Sequence, residues 1–333
     1  HENRIEPSDC PLGQSEPLPQ GAFLFAVKGG FKMKKHFKRA LSLLLAILLC
    51  IGMLPVSASA ADLTGSMSMI DIKGRDHALS SSLPAPFGGY ASEKYTMLRI
   101  TDSSTGATKT AYCLELGIST YYQEQYQPSA DYPQFSQEQK ELINAVLTLG
   151  YNTDTGVKYG GSPEDEYIAT QILVWLIAHK QLGTQYENQI VSEFTVSSPG
   201  AKTVFTKLRK AVMDYRTIPS FACEDSKQAA AHTYELKYNA QTGKYETALT
   251  DSSGVLSEFS FSQPGVSFAR TGNQLKVSSE KTSFSTVSGE KKLPSSIAGV
   301  VKGASRYWLN EHYQNVVTFE VGGEPLPVKA YFG

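Results

Sequence analysis

Two residues stand out for the chemistry their side chains can carry, Gln171 and Cys113. Gln171 lies in "EDEYIATQILVWLIAHKQ", residues 164–181, where Ile168, Ile172, Trp175, Leu176 and His179 recur at the spacing of one helix face. Three residues after Ile168 and four before Trp175, its carboxamide falls at the margin of that face, beside the indole. A buried amide left without partners costs roughly 1–3 kcal/mol, so a neighbour must satisfy this one or a reaction must consume it. Cys113 stands in "AYCLEL", residues 111–116, flanked by Tyr112 and Leu114. A cysteine in such a stretch is most often a small core hydrophobe. As a nucleophile it is mostly un-ionised, because a thiol pKa of about 8.5 leaves a few per cent thiolate at neutral pH. Pairing Cys113 with His179 or His232 would make a hydrolase, but nothing local orients either histidine and no third group is apparent.

These residues belong to the later part of the chain. At Met33 the run "MKKHFKRALSLLLAILLCIGMLPVSASAAD" opens with Lys34, Lys35, Lys38 and Arg39, stays apolar from Ala40 to Leu54 and closes on Ala58-Ser59-Ala60. That order is the layout of a secretory signal peptide, and the apolar run falls short of the roughly 20 residues a bilayer span takes. Residues 33–61 are therefore read as a leader, residues 1–32 as an upstream extension, and the exported part as starting near Ala61. The sequence is 41% hydrophobic with a formal charge of -1, so no basic field exists to hold nucleic acid or an acidic membrane face. With the leader gone, Cys113 and Cys223 remain, enough for one bridge and too few for a disulfide scaffold.

The hydrophobic period changes in blocks. From Thr64 to about Tyr122 it is strand-like, with "YTMLRITD" and "KTAYCLELGIS" joined by the turn "SSTG" at 103–106. Three helix signals follow. Ser136 to Gln139 is a capping box that opens a helix closing at Gly150, and Ser162-Pro163 opens the helix of Gln171, with Gly183 as its stop. Ser198-Pro199 opens the third, which ends before Pro219. The acidic residues 164–166 suit the positive end of the second helix. The tyrosine-rich "YYQEQYQPSADYPQF" at 121–135 reads equally as a ligand surface or an ordered loop. After Ser220 the text alternates again, around turns at Gly243 and at Thr271-Gly272-Asn273, and continues into "NVVTFEVGG" and "LPVKAYFG". A boundary is placed within 219–230, dividing a domain at 62–222 from a module at 223–333.

Together the two opening stretches resemble the internal thioester domains of Gram-positive surface adhesins. In that family an aromatic or aliphatic residue precedes a strand cysteine, and a later helix carries Thr-Gln-x-x-hydrophobic-Trp. Here these are Tyr112-Cys113-Leu114 and Thr170-Gln171-Ile172-Leu173-Val174-Trp175. The order is the same, cysteine strand first, and Leu173 stands where family members often carry alanine. The resemblance covers about residues 64–220, and the segment after 230 is like the β-rich module that often follows.

The resemblance implies an α+β thioester-type domain, a β-sheet body with a helical insertion over 134–218, followed by an all-β, sandwich-like domain. It implies that Cys113 sulfur displaces ammonia from Gln171 to leave a thioester, that Tyr112 and Trp175 keep water off it, and that Thr170 supports the site. An amine of a host or other extracellular protein, such as a lysine, would then attack the carbonyl, with no turnover. No cofactor is implied. His77, His179, His232 and His312 lack the close spacing to cysteine or carboxylates that a metal site needs. The competing expectations are a non-reactive surface module, with Cys113 buried or bonded to Cys223, and a secreted cysteine hydrolase. No Leu-Pro-x-Thr-Gly sorting motif occurs in the sequence.

Overall fold

The structure, a computed structural model, describes residues 64–90 and 93–333. The expected leader and upstream extension lie outside these residues. β1 (Gly65–His77), β2 (Glu93–Asp102) and β3 (Thr108–Cys113) run as an antiparallel meander. Gly106 takes the expected 103–106 turn at φ +68°, a conformation that disfavours side chains. The tyrosine-rich stretch supplies a strand, β4 (Gln125–Ser129), and its Tyr126 and Tyr132 are core residues while Tyr121 and Tyr122 are exposed.

Four helices follow. In α1 (Gln137–Leu149) both halves of the Ser136–Gln139 capping box form, Ser136 Oγ accepting from Gln139 N–H at 3.2 Å. In α2 (Pro163–Ala178) Ser162 Oγ accepts from Asp165 N–H at 3.1 Å and proline occupies the first turn. α2 stops short of Gly183: His179 caps it, and Lys180 turns the chain at φ +56°. α3 (Glu187–Phe194) is a short helix the sequence reading does not anticipate, its start lacking a side-chain cap. α4 (Pro199–Arg216) begins at the expected Ser198-Pro199. Residues 165–177 of α2 are all buried, so it has no solvent face and is the central helix of the layer.

The β-rich region comprises β5 (Lys237–Asn239), β6 (Lys244–Thr250), β7 (Phe259–Ser262), β8 (Val266–Thr271), β9 (Gln274–Ser279), β10 (Val287–Lys291), β11 (Gly303–Leu309), β12 (Val316–Val321) and β13 (Lys329–Phe332). Turns at Gly243 and Gly272 join β5 to β6 and β8 to β9, as the alternation predicts. The chain is thus α+β, with a β-rich region after it in sequence. β11 and β12 return to close a barrel in the order β1-β2-β3-β12-β11-β4, leaving a three-stranded sheet (β13-β10-β7) and a four-stranded one (β5-β6-β9-β8). The physical reason is an edge. β3 needs a partner for the backbone groups that β2 does not meet, and β12 supplies it through Val316↔Cys113, Val317↔Tyr112 and Thr318↔Ala111. Trp308 of β11 fills the barrel at 1% exposure and donates from Nε1 to Thr318 Oγ1 at 2.9 Å. The described residues, 64–90 and 93–333, accordingly lie in one compact unit. Within it Lys291 of β10, buried, ties α4 to the small sheet, donating to the carbonyls of Asp214 and Thr217 at 2.7 and 2.8 Å and pairing with Glu258 at 3.0 Å.

Candidate functional site

The site forms where β2 and β3 part. Their register ends at Leu98↔Ala111. Backbone groups of successive strand residues face opposite neighbours. Leu114 N–H goes to Asn315 O on the β12 side, so Cys113 faces the side that β2 has left. There the Gln171 carboxamide acts as the missing strand: Oε1 accepts from Cys113 N–H at 2.8 Å, and Nε2 donates to Cys113 O at 2.9 Å. Gln171 is 2% exposed. One turn earlier, Tyr167 hydroxyl bridges the same gap, accepting from Leu98 N–H and donating to Ala111 O, both at 3.1 Å.

The matched spacing explains the alignment. Four helix residues advance about 6 Å, and two strand residues advance about 6.6 Å. Tyr167 and Gln171 therefore meet Ala111 and Cys113 in step. Further along the same helix line, His179 Nε2 accepts from Leu116 N–H at 3.2 Å. Burial lowers its pKa and keeps the accepting form. Tyr167 is the site residue that sequence reasoning missed; its position one turn before Gln171, on the same line, was the available signal.

Cys113, Tyr167, Gln171 and Trp175 line one cleft of about 260 Å³, together with His77 and Lys94. Cys113, Gln171 and Trp175 are therefore brought to one cleft. Tyr112 and Thr170 are not lining residues of that cleft. Tyr112 stacks on Tyr167 with ring centroids 5.0 Å apart, and its hydroxyl donates to Tyr151 O, so it buttresses the helix–strand contact from behind. Thr170 hydroxyl accepts from Tyr151 N–H at 3.1 Å and donates to Glu166 O at 2.7 Å, which fixes the loop after α1. Neither Cys113 nor Cys223 forms a disulfide, and Cys223 Sγ lies 3.2 and 3.3 Å from the carbonyl oxygens of Asp225 and Tyr331. His232 ends a short 3-10 turn packed by β13. Of the acidic run, Asp165 pairs with Arg75 at 3.0 Å, and buried Glu166 accepts from the backbone of Lys158 and Tyr159 at 2.8 and 2.5 Å.

Two outcomes follow from these contacts. Thr170→Val keeps the volume but removes the acceptor for Tyr151 N–H; it should lower unfolding free energy by roughly 1–3 kcal/mol in denaturant melts. Intact mass should show the Cys113–Gln171 pair behaving as in the wild type. The second concerns His77, 4% exposed and ringed by aromatic side chains. Burial pulls its pKa from 6.5 to about 4, against a smaller opposing effect of Asp76. The folded state thus resists a proton that the unfolded state accepts. Stability is fully present above pH 6.5 and falls as pH drops from there to about 4. The loss should reach about 3 kcal/mol. His77→Phe should remove that part of the acid sensitivity, read as the difference between the two pH–stability curves.

A strand cysteine thus has its backbone held by a helix glutamine, and both residues line one cleft. The family comparison places it: residues 110–213 match the family described as the thioester domain. That stretch, which carries both Cys113 and Gln171, is similar to a thioester domain. Among solved structures, the chain is similar to the thioester domain of the Staphylococcus aureus TIE protein, at 15% identity and a TM-score of 0.43, over 81% of this chain and 98% of that one. No curated protein matches the chain.

Proposed function

We propose that the protein is an exported bacterial adhesin that stores a Cys113–Gln171 thioester and uses it once, to attach to an amine on another protein. The observation that carries this reading is the two-point hold of the Gln171 carboxamide on Cys113. The thiol sits on the same residue, separated from the holding N–H by only Cα and Cβ. Such proximity can lower a barrier by about 7–11 kcal/mol for well-oriented groups, which matters because free thiols are mostly un-ionised at neutral pH. Cys113 Sγ adds to Gln171 Cδ, the C–N bond breaks, and Nε2 leaves as ammonia with the thiol proton. Cys113 N–H remains donated to Oε1, so it favours the negative charge that develops there. An amine later attacks the same carbon, the C–S bond breaks, and an amide and the Cys113 thiol result. Each molecule reacts once, so the event is binding and not turnover. The leader-like run at 33–61 supports export, and a lysine of a host or extracellular protein is the partner whose chemistry fits.

One observation favours a second reading, a non-reactive module: both polar atoms of the Gln171 side chain are already satisfied. Intact mass decides between them. The thioester reading requires the protein to lack the mass of one ammonia and to gain methylamine on treatment with it. A protein of full calculated mass, inert to methylamine, removes the adhesin reading and leaves packing.

A further inference from the structure

The cleft of Cys113 and Gln171 holds a group that the reaction described so far does not use. Eight buried side-chain nitrogen and oxygen atoms lack a hydrogen-bond partner among the described residues, and three of them belong to this cleft: Nδ1 and Nε2 of His77 and Nε1 of Trp175. Buried polar atoms are almost always paired, so their concentration at one place marks a cavity built for a polar guest. His77 is enclosed by Tyr90, Tyr95 and Phe194, with ring centroids at 5.8, 4.6 and 4.9 Å. Phe194 stacks in turn on Trp175 at 5.2 Å, and Trp175 lies one turn after Gln171.

The fold aims His77 there. The β1–β2 register shifts between Asp71 and Asp76, and such irregularities redirect side chains. Ser197 then clamps the strand end, donating to Asp76 O at 2.6 Å and accepting from Asp76 N–H at 2.9 Å. Desolvation keeps the imidazole neutral at physiological pH, so one ring nitrogen carries a lone pair.

We propose that His77 is the proton acceptor for the primary amine that opens the Cys113–Gln171 thioester. The inference rests on the thioester reading above. The amine nitrogen attacks Gln171 Cδ and its surplus proton passes to His77. The C–S bond breaks with its electron pair on Cys113 Sγ, and His77 returns the proton to that thiolate. Amine and thioester become amide and thiol, and His77 ends unchanged.

The test is the rate at which methylamine opens the thioester, followed by intact mass on those molecules that have lost ammonia. A positioned acid–base group contributes about 100-fold or more, so His77→Phe, which keeps the ring without the acceptor, should open about 100-fold more slowly. His77→Gln should fall between it and the wild type, and added imidazole should accelerate His77→Ala. A His77→Phe thioester that opens at the wild-type rate overturns the proposal. If His77→Phe forms no thioester, His77→Gln and the imidazole experiment decide. A His77→Gln rate equal to wild type, or no acceleration of His77→Ala by imidazole, overturns it. Wild-type protein that has lost no ammonia removes the thioester reading itself and this inference with it, a result distinct from a thioester that forms but ignores His77.

Discussion

Cys113→Ala should convert a protein that captures methylamine completely into one that captures none, while leaving the fold in place. The alanine keeps the backbone N–H and C=O that Gln171 holds at 2.8 and 2.9 Å, so both hydrogen bonds survive. What is lost is the sulfur and with it the cross-link. Closing the 58-residue separation of Cys113 and Gln171 stabilises by about 4 kcal/mol on the chain-entropy estimate used for disulfides. Gln171→Ala should abolish capture equally and melt lower still. It forfeits the cross-link and also strands the Cys113 amide and carbonyl, at roughly 1–3 kcal/mol for each unmet group. Mass spectrometry with and without methylamine reads the first effect, and denaturant melts read the difference between the two variants. Ammonia loss persisting in Cys113→Ala would assign the chemistry to another residue.

A fragment of residues 62–222 should fail to fold, although it contains Cys113, Gln171 and every helix that positions them. It lacks β11 and β12, so β3 loses its partners at Val316, Val317 and Thr318, and the barrel is left open beside the cysteine. It also lacks Trp308, Val316, Val317 and Phe319, all buried in the core. A gentler probe of the same dependence is Trp308→Ala in the whole chain. Emptying that position should cost about 3–5 kcal/mol and lower the melting temperature. Circular dichroism and intact mass would check both. A 62–222 fragment that melts cooperatively and loses ammonia would show that the downstream hairpin is dispensable.

Much of the helical layer was legible. The Ser136 and Ser162 caps and the prolines at 163 and 199 act within a turn of where they stand, and each begins a helix where the spacing predicts. α3 was not legible, because its start has no side-chain cap. The position of Gln171 was legible only in part. The stripe argument put it at the margin of one buried face; the structure surrounds that helix completely and turns Gln171 toward a gap between strands. His77 showed nothing in sequence but an isolated histidine, since its significance lies in which aromatic rings enclose it and which partners it lacks.

The sequence by itself determined the local facts: where helices begin, which runs alternate as strands, and that a cysteine and a glutamine of the right setting occur in that order. Tertiary structure alone decided that β12 pairs with β3, that β2 parts from β3 beside Cys113, and that Tyr167 and Gln171 of α2 fill the gap. The reason is range. Caps and periods are set by neighbours a few residues away, whereas a strand edge accepts any partner of suitable alternation, and only the packing of the whole barrel selects one.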